Sequence, residues 1–406
     1  MKVWSSVAIS KLPGAGKAPL LRDAATGQFI DPVVGQEASI YVCGITPYDS
    51  THMGHAATYV NFDLLKRVWL DAGYTVNHVQ NITDIDDPLF ERASATGQNW
   101  LDIANQEVTK FSDDMSALKV LPPNSYASIS EEFDYIVASV EELLELDAAY
   151  YVENDIYFDV SKTNALGELS HFNIDEMKHL FAARGGDPSR IGKRNVLDPL
   201  LWKKVDGDDG FQSKLGKGRP GWHIECVAIA KKYAKLPLSV KAGGNDLIFP
   251  HHEMCRVQCA AWQNISLANA YLYAGMVYYQ GEKMSKSLGN LVFVSDLVKS
   301  GIDPMAIRLT ILSNHYSQEW EWTNDLLEKA NQRLNLWKMA LAQNQTEESD
   351  QLLEGVRNAL SVDLNTTEAF NLIDEWAQKS LLNKGNSTTG AGLVSRLLDS
   401  LFGIAL

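Results

Sequence analysis

The stretch from Ser39 to Thr83 narrows the architecture more than any other part of the chain. Ser39-Ile40-Tyr41-Val42-Cys43 is a short apolar run that reads as a buried strand. A turn follows from Gly44 to Gly54. Val60, Leu64, Leu65, Val68 and Trp69 then recur at helical spacing, and Gly73 stands where a C-cap belongs. Tyr74 to Thr83 is β-branched and alternating, which reads as the next strand. Together these make a β-turn-α-β unit. In open α/β sheets the crevice at the strands' C-terminal ends binds nucleotides, with phosphates near a helix N-terminus. Here that crevice carries Tyr48-Asp49-Ser50-Thr51-His52-Met53-Gly54-His55, two histidines around a glycine.

The remaining chain divides by pattern. Residues 1–37 are rich in Pro, Gly and Ala and read as an irregular arm. Residues 98–120 and 129–147 have helical amphipathicity, and Asp155 to Val160 is a short strand. The stretch 163–220 is polar and loop-rich, with Arg184-Gly185-Gly186-Asp187-Pro188 inside it. Sheet character returns at Leu238 to Ala242, before Gly243-Gly244-Asn245-Asp246, and at Ala270 to Tyr279. The latter leads into a second polar loop, Gly281-Glu282-Lys283-Met284-Ser285-Lys286-Ser287. From residue 321 the pattern is helical, with a later helix start at Asp363-Leu364-Asn365-Thr366. The expected organisation is an α/β nucleotide-binding domain from 1–121 and 201–320, in which 1–37 is the arm and 281–320 the lysine-loop region. An inserted subdomain occupies 122–200 and a helical domain 321–406.

Composition narrows the function classes. A chain of 406 residues has room for two or three domains. Its 45% apolar and 21% charged residues are ordinary for a globular protein, and no apolar run reaches the length of a membrane span. The first residues lack the apolar stretch of a signal peptide. Four cysteines in so long a chain argue against a disulfide scaffold and for a reducing, cytoplasmic setting. A net charge of −15 disfavours gripping a polyanion, so no nucleic-acid partner is expected. No membrane partner and a monomer are expected as well.

The two loops, in this order, resemble the "HIGH" and "KMSKS" elements of class I aminoacyl-tRNA synthetases. Tyr41 to Asp49, Asn81-Ile82-Thr83-Asp84-Ile85-Asp86-Asp87, Gly218 to Cys226 and Phe249-Pro250-His251-His252-Glu253 look like cysteinyl-tRNA synthetase. Four further segments resemble the mycothiol-pathway cysteine ligases: Gly44 to Asp49, Asp87 to Arg92, Arg184 to Pro188 and Asn290 to Ser295. Those relatives join L-cysteine to the amine of a glucosaminyl-inositol, 1D-myo-inosityl 2-amino-2-deoxy-α-D-glucopyranoside. One departure is Ala183, where the ligase pattern has a glutamate. The synthetases continue into an anticodon-reading region, whereas this chain ends at Leu406. The resemblance implies a class I synthetase-type Rossmann domain with an insertion and a C-terminal helical bundle. It also implies ATP, with Mg²⁺, as a substrate and one Zn²⁺ per chain.

Activating a carboxylate with ATP means in-line attack on the α-phosphorus and loss of pyrophosphate, so the protein positions groups and stabilises spreading charge. His52 and His55 can donate hydrogen bonds to phosphate oxygens. Lys283 and Lys286, on a glycine-flanked loop, can close over the pyrophosphate. By resemblance, Cys43, Cys226 and His251 are metal ligands; a soft metal separates a thiol from a hydroxyl where size alone gives roughly 1–3 kcal/mol. Resemblance also assigns Cys43, Gly44, Ile45, Thr46 and Thr58 to the cysteinyl-adenylate, and Asn81, Ile82 and Thr83 to the same pocket. Trp222 would form a wall of it, Gly244, Asn245 and Asp246 would hold ribose hydroxyls, and Val277 would meet adenine. The synthetases place a glutamate ligand where this chain has Cys255. An open catalytic site argues that Cys255 lies near the metal without binding it firmly. Two other functions fit parts of the pattern: a short cysteinyl-tRNA synthetase, and a non-catalytic nucleotide- or cysteine-binding module.

Overall fold

The computed structural model describes residues 3–48, 51–207, 209–284, 288–383 and 385–406. Its centre is a five-stranded parallel sheet: β1 (Glu37–Ile45), β2 (Thr75–Ile82), β3 (Ser125–Ser128), β4 (Leu238–Gly244) and β5 (Ala268–Ala274). The spatial order is β5-β4-β1-β2-β3, with every neighbouring pair parallel. The order reverses between β1 and β4, and such a switch point leaves a crevice beyond the strand ends.

Side-chain alternation splits the core into two layers. Ile40 and Val42 of β1 join Val240 and Ala242 of β4 in one cluster. That cluster packs on helix α1 (Met53–Asp71) and the C-terminal helices. Tyr41 and Cys43 point to the opposite layer, with helices α2 (Trp222–Tyr233) and α3 (Glu253–Gln263). The period of two therefore turns Cys43 towards Cys226 and Cys255.

The expected strand over 39–43, the helix ending near Gly73 and the strand over 74–83 are all present, each within a few residues. The stretch expected to be mostly loop, 163–220, holds more structure. Helix Ile174–Ala183 and strands Leu200–Lys204, Phe211–Ser213 and Gly216–Pro220 lie within it. These strands join Ala149–Val152 and Asp155–Phe158 in an antiparallel sheet that runs past residue 200. Conversely, β3 falls inside the expected 122–200 insertion yet pairs with β2. Short, charged strands such as Leu200–Lys204 carry little alternation, which is why the pattern hid them. Val277–Tyr279 is also a separate strand, paired with Trp320–Glu321 and Glu282–Lys283 in a third small sheet. Four helices close the chain: Asn324–Leu341, Asp350–Leu360, Thr366–Asn383 and Gly390–Phe402.

Candidate active site

The first histidine loop is built around the start of α1. His52 is the N-cap, with extended backbone (φ −90°, ψ 169°), and its Nδ1 accepts the Gly54 N–H at 3.1 Å. A Cβ on Gly54 would stand 2.9 Å from His52 Cε1, so the glycine gives the capping ring its room. One turn on, the His55 ring lies 3.9 Å from that of His52, centroid to centroid. Burial lowers the His55 pKa to about 4, and its Nδ1 has no partner among the described residues. At neutral pH His55 is a neutral imidazole beside the positive end of a helix.

Glycine is equally required at the end of β1. The β1–β2 register shifts between Val42 and Ile45, and a Cβ on Gly44 would fall 1.6 Å from the Asn81 carbonyl oxygen. The Gly44 N–H donates to Asn81 Oδ1 at 2.9 Å, and Asn81 Nδ2 donates to Thr83 Oγ1 at 3.0 Å.

Two contacts bring the second loop to the first. The Met53 N–H donates to Val292 O at 2.8 Å, and His52 forms an isolated antiparallel bridge with Phe293. Asn290 Nδ2 reaches back to Lys283 O at 3.2 Å. Lys283 then stands 3.6 Å from Asp246, at the far wall of a cleft of about 430 Å³. Of the expected site residues, Cys43, Gly44, Ile45, Thr46, His52, His55, Thr58, Gly244, Asp246, Val277 and Lys283 line this cleft. Lys286 lies outside the described residues.

Asn81, Ile82, Thr83, Trp222, Cys226, Asn245 and His251 are not among the lining residues. Ile82 is fully buried on the α1 side of the sheet, because strand alternation turns it away from the layer of Cys43. Asn81 and Thr83 instead brace Gly44 from behind. Asn245 is exposed at the first position of a 3₁₀ turn. Trp222 stacks on the His251 ring at 4.2 Å and 19°. The pattern also missed lining residues, among them Tyr48, Tyr59, Met276 and Leu291. Tyr59 packs its hydroxyl on the Cys43 carbonyl at 3.1 Å; its position one turn after His55 was the available clue. The Arg-Gly-Gly-Asp-Pro segment is a brace: Arg184 donates to the carbonyls of Asp246 and Phe249. Asp187 accepts from Tyr157 and Lys193. Ala183 is only the last residue of the preceding helix.

Cys43, which lines the cleft at the end of β1, meets Cys226 and His251. Their donor atoms lie within 4.8 Å of one another, and all three residues are buried. Zinc–sulfur and zinc–nitrogen bonds of about 2.3 and 2.0 Å imply donor separations of roughly 3.5 Å, so this soft donor set fits one such ion. Burial pushes the Cys43 thiol up to about 12 and the Cys226 thiol to about 11. A dication between them reverses that preference by stabilising both thiolates. His223 Nδ1 lies 3.1 Å from His251 Nδ1, which leaves Nε2 of His251 to face the sulfurs. Cys255 borders the cluster, facing Cys226 and His251, without joining the group whose donor atoms all lie within 4.8 Å of one another. Its Sγ donates to His223 O at 3.4 Å and lies 3.9 Å from His251 Nε2.

Residues 29–332 match the family model described as the catalytic domain of class I (C) tRNA synthetases. Curated relatives match from end to end. The L-cysteine:1D-myo-inositol 2-amino-2-deoxy-α-D-glucopyranoside ligase of Acidothermus cellulolyticus is 47% identical over 407 residues, covering 100% of both chains. The ligase of the same name from Streptomyces coelicolor is 47% identical over 409 residues, again with 100% of both chains covered. The chain belongs to this ligase family. Solved structures agree on the fold. Methionyl-tRNA synthetase of Mycobacterium tuberculosis, in complex with methionyl-adenylate, superposes with a TM-score of 0.63 at 16% identity, covering 90% of each chain. The ternary complex of Agrobacterium radiobacter K84 agnB2 LeuRS with tRNA and LeuAMS gives 0.66 at 11% identity, over 91% of this chain and 84% of that one. At these identities the likeness is one of fold: the ligase family uses the class I synthetase architecture. None of the helices described is long and apolar enough to cross a membrane.

Proposed function

We propose that this protein is the ATP-dependent ligase that activates L-cysteine as cysteinyl-adenylate and transfers it to the amine of 1D-myo-inosityl 2-amino-2-deoxy-α-D-glucopyranoside. The observation that carries this reading is the meeting of Cys43, Cys226 and His251 beside the His52–His55 helix start, in a chain 47% identical end to end to named ligases. A zinc ion on those three side chains would bind the thiol of L-cysteine as thiolate and so reject serine and alanine.

The other roles belong to the chain's own groups. Gly44 to Thr46 and Thr58 border the aminoacyl end, and Gly244, Asp246 and Val277 the nucleoside end. The carboxylate oxygen of cysteine attacks the α-phosphorus of ATP, and pyrophosphate leaves. His55, neutral and at the N-terminus of α1, donates to phosphate oxygens as His52 does. Lys283 leaves Asp246 for the β- and γ-phosphates as charge builds on them. The amine of the sugar then attacks the acyl carbonyl; an amide forms and AMP departs. Asn81, Thr83 and Trp222 act on this site from behind, through Gly44 and His251.

The test supplies ATP and L-cysteine with the amino sugar or with tRNA, in separate reactions. Amide on the sugar, with AMP released and tRNA uncharged, is expected. Charged tRNA with no amide would overturn the reading in favour of a cysteinyl-tRNA synthetase. Absence of cysteine-dependent pyrophosphate exchange would point to a non-catalytic module.

A further inference from the structure

Lys241 is a lysine in the wrong place for an ordinary lysine. It sits in the middle of β4, its neighbours Val240 and Ala242 pack in the α1 layer, and it is fully buried. Its parallel neighbour on β1 is Tyr41. The ammonium lies 3.8 Å over the Tyr41 ring and 3.0 Å from Cys43 Sγ. A buried cation is tolerated only where an anion or strong acceptors face it.

The sulfur it touches is held from a second side. His252, also fully buried, places Nε2 3.2 Å from Cys43 Sγ, while its Nδ1 lies 3.0 Å from the Tyr273 hydroxyl. With the tyrosine donating to Nδ1, the Nε2–H is free to donate to the sulfur. In that tautomer Cys43 Sγ receives two N–H donors, one of them the Lys241 ammonium. A neutral thiol is a weak acceptor, so this surrounding suits a thiolate.

Charge counting then separates the resting site from the loaded one. On the reading of Cys43, Cys226 and His251 as ligands of a dication, two thiolates and a neutral imidazole leave the resting site neutral. A substrate bound through its own thiolate adds one negative charge in a buried place. Lys241 supplies the matching positive charge from within the same cluster.

We propose that Lys241 is a positioning and specificity residue: its ammonium, fixed between Cys43 Sγ and the Tyr41 ring, balances the extra thiolate that L-cysteine brings and so favours a thiol-bearing amino acid over its hydroxyl analogue. The inference rests on the metal-site reading given under the proposed function.

The experiment uses the full chain loaded with Co²⁺ in place of zinc, as wild type, K241M, K241Q and K241R. Metal per chain is measured, thermal melts check folding, and L-cysteine is titrated by the sulfur-to-cobalt absorption it adds. L-serine and ATP affinities are measured alongside. K241M and K241Q should keep about one metal per chain and bind L-cysteine about 10-fold or more weakly, with ATP and L-serine affinities unchanged. K241R should recover most of the loss, because the charge is restored. The two uncharged variants differ in polarity, so failure of K241M to fold leaves K241Q to decide. Wild-type affinity for L-cysteine in a folded, uncharged variant overturns the inference, as does loss of metal from one, which would assign Lys241 to the resident ligands. A wild-type protein that takes up no cobalt overturns the metal-site reading itself, and this inference with it.

Discussion

Two buried polar clusters lie on opposite sides of the central sheet, and they are built to opposite rules. One joins Asp63 and Arg67 of α1 to Arg308 of the helix Pro304–Leu312. The other is the Cys43–Cys226–His251 group. In the first, every charged group is used. Asp63 accepts from Leu121 N at 2.8 Å, from Arg67 Nε at 2.8 Å and from Arg308. Arg67 spends its remaining donors on the carbonyls of Lys119 and Asp399, and Arg308 on those of Leu118 and Phe402. Burial alone would raise the Asp63 carboxyl, but the two guanidiniums outweigh it and hold it below its usual value. In the second cluster, burial wins and both thiols are pushed up. The lesson is chemical. A satisfied network locks α1 to the C-terminal helices and has nothing left for a ligand. A network whose thiols lack enough positive charge is poised to take a cation.

The largest expected effect breaks the locked cluster. Asp63→Asn leaves two buried guanidiniums without their carboxylate and should cost about 3–5 kcal/mol in urea unfolding. A loss below about 1 kcal/mol would show that the junction is not the lock described.

Next comes the open cluster. Cys226→Ser should lose the bound metal and lower cysteine-dependent pyrophosphate exchange by about 100-fold or more. A metal-free variant that activates cysteine at the wild-type rate would remove the contrast between the two clusters.

Lys283→Ala should lower kcat of adenylate formation by about 10- to 100-fold while moving the cysteine KM little, because the ammonium meets charge that grows in the transition state. A change confined to KM would assign Lys283 to ground-state binding.

Acid stability separates the regions further. The His55 pKa is lowered on folding, from 6.5 to about 4. The unfolded chain therefore binds the extra proton across that window. His55 should contribute its full stability above pH 6.5 and lose it as pH falls towards about 4. His55→Gln should flatten the fall in urea midpoint between these limits; an unaltered slope would place the loss elsewhere.

The smallest effect concerns Cys255. Cys255→Ser should keep the metal and leave activity within about 3-fold, since its sulfur already bonds to the His223 carbonyl and a catalytic site needs an open position. Metal analysis of the purified variant decides this; complete loss would make Cys255 a resident ligand.

Much of this was legible from local pattern. The 39–43 strand, the helix after His52 and the 74–83 strand follow from periodicity alone, because side-chain direction in a strand or helix is set within a few residues. Resemblance, not periodicity, assigned Ile82 to the pocket, and the strand alternation places that side chain in the core on the α1 side. Periodicity passed over the strands at 200–220, where charged residues mask the period.

By itself, then, the sequence determined the β-α-β start and the turn at the strand's C-terminal end, with two histidines around a glycine. Only the tertiary structure decided what Cys43 meets there. Cys226 lies on α2, His251 just before α3, and Lys241 on β4, each about two hundred residues away along the chain. Their approach depends on the register Lys241↔Tyr41 and on the packing of α2 and α3 over that face of the sheet. Local periodicity specifies faces and has no term for distance between remote segments. That distance, and with it the charge around one sulfur, is set when the strands pair.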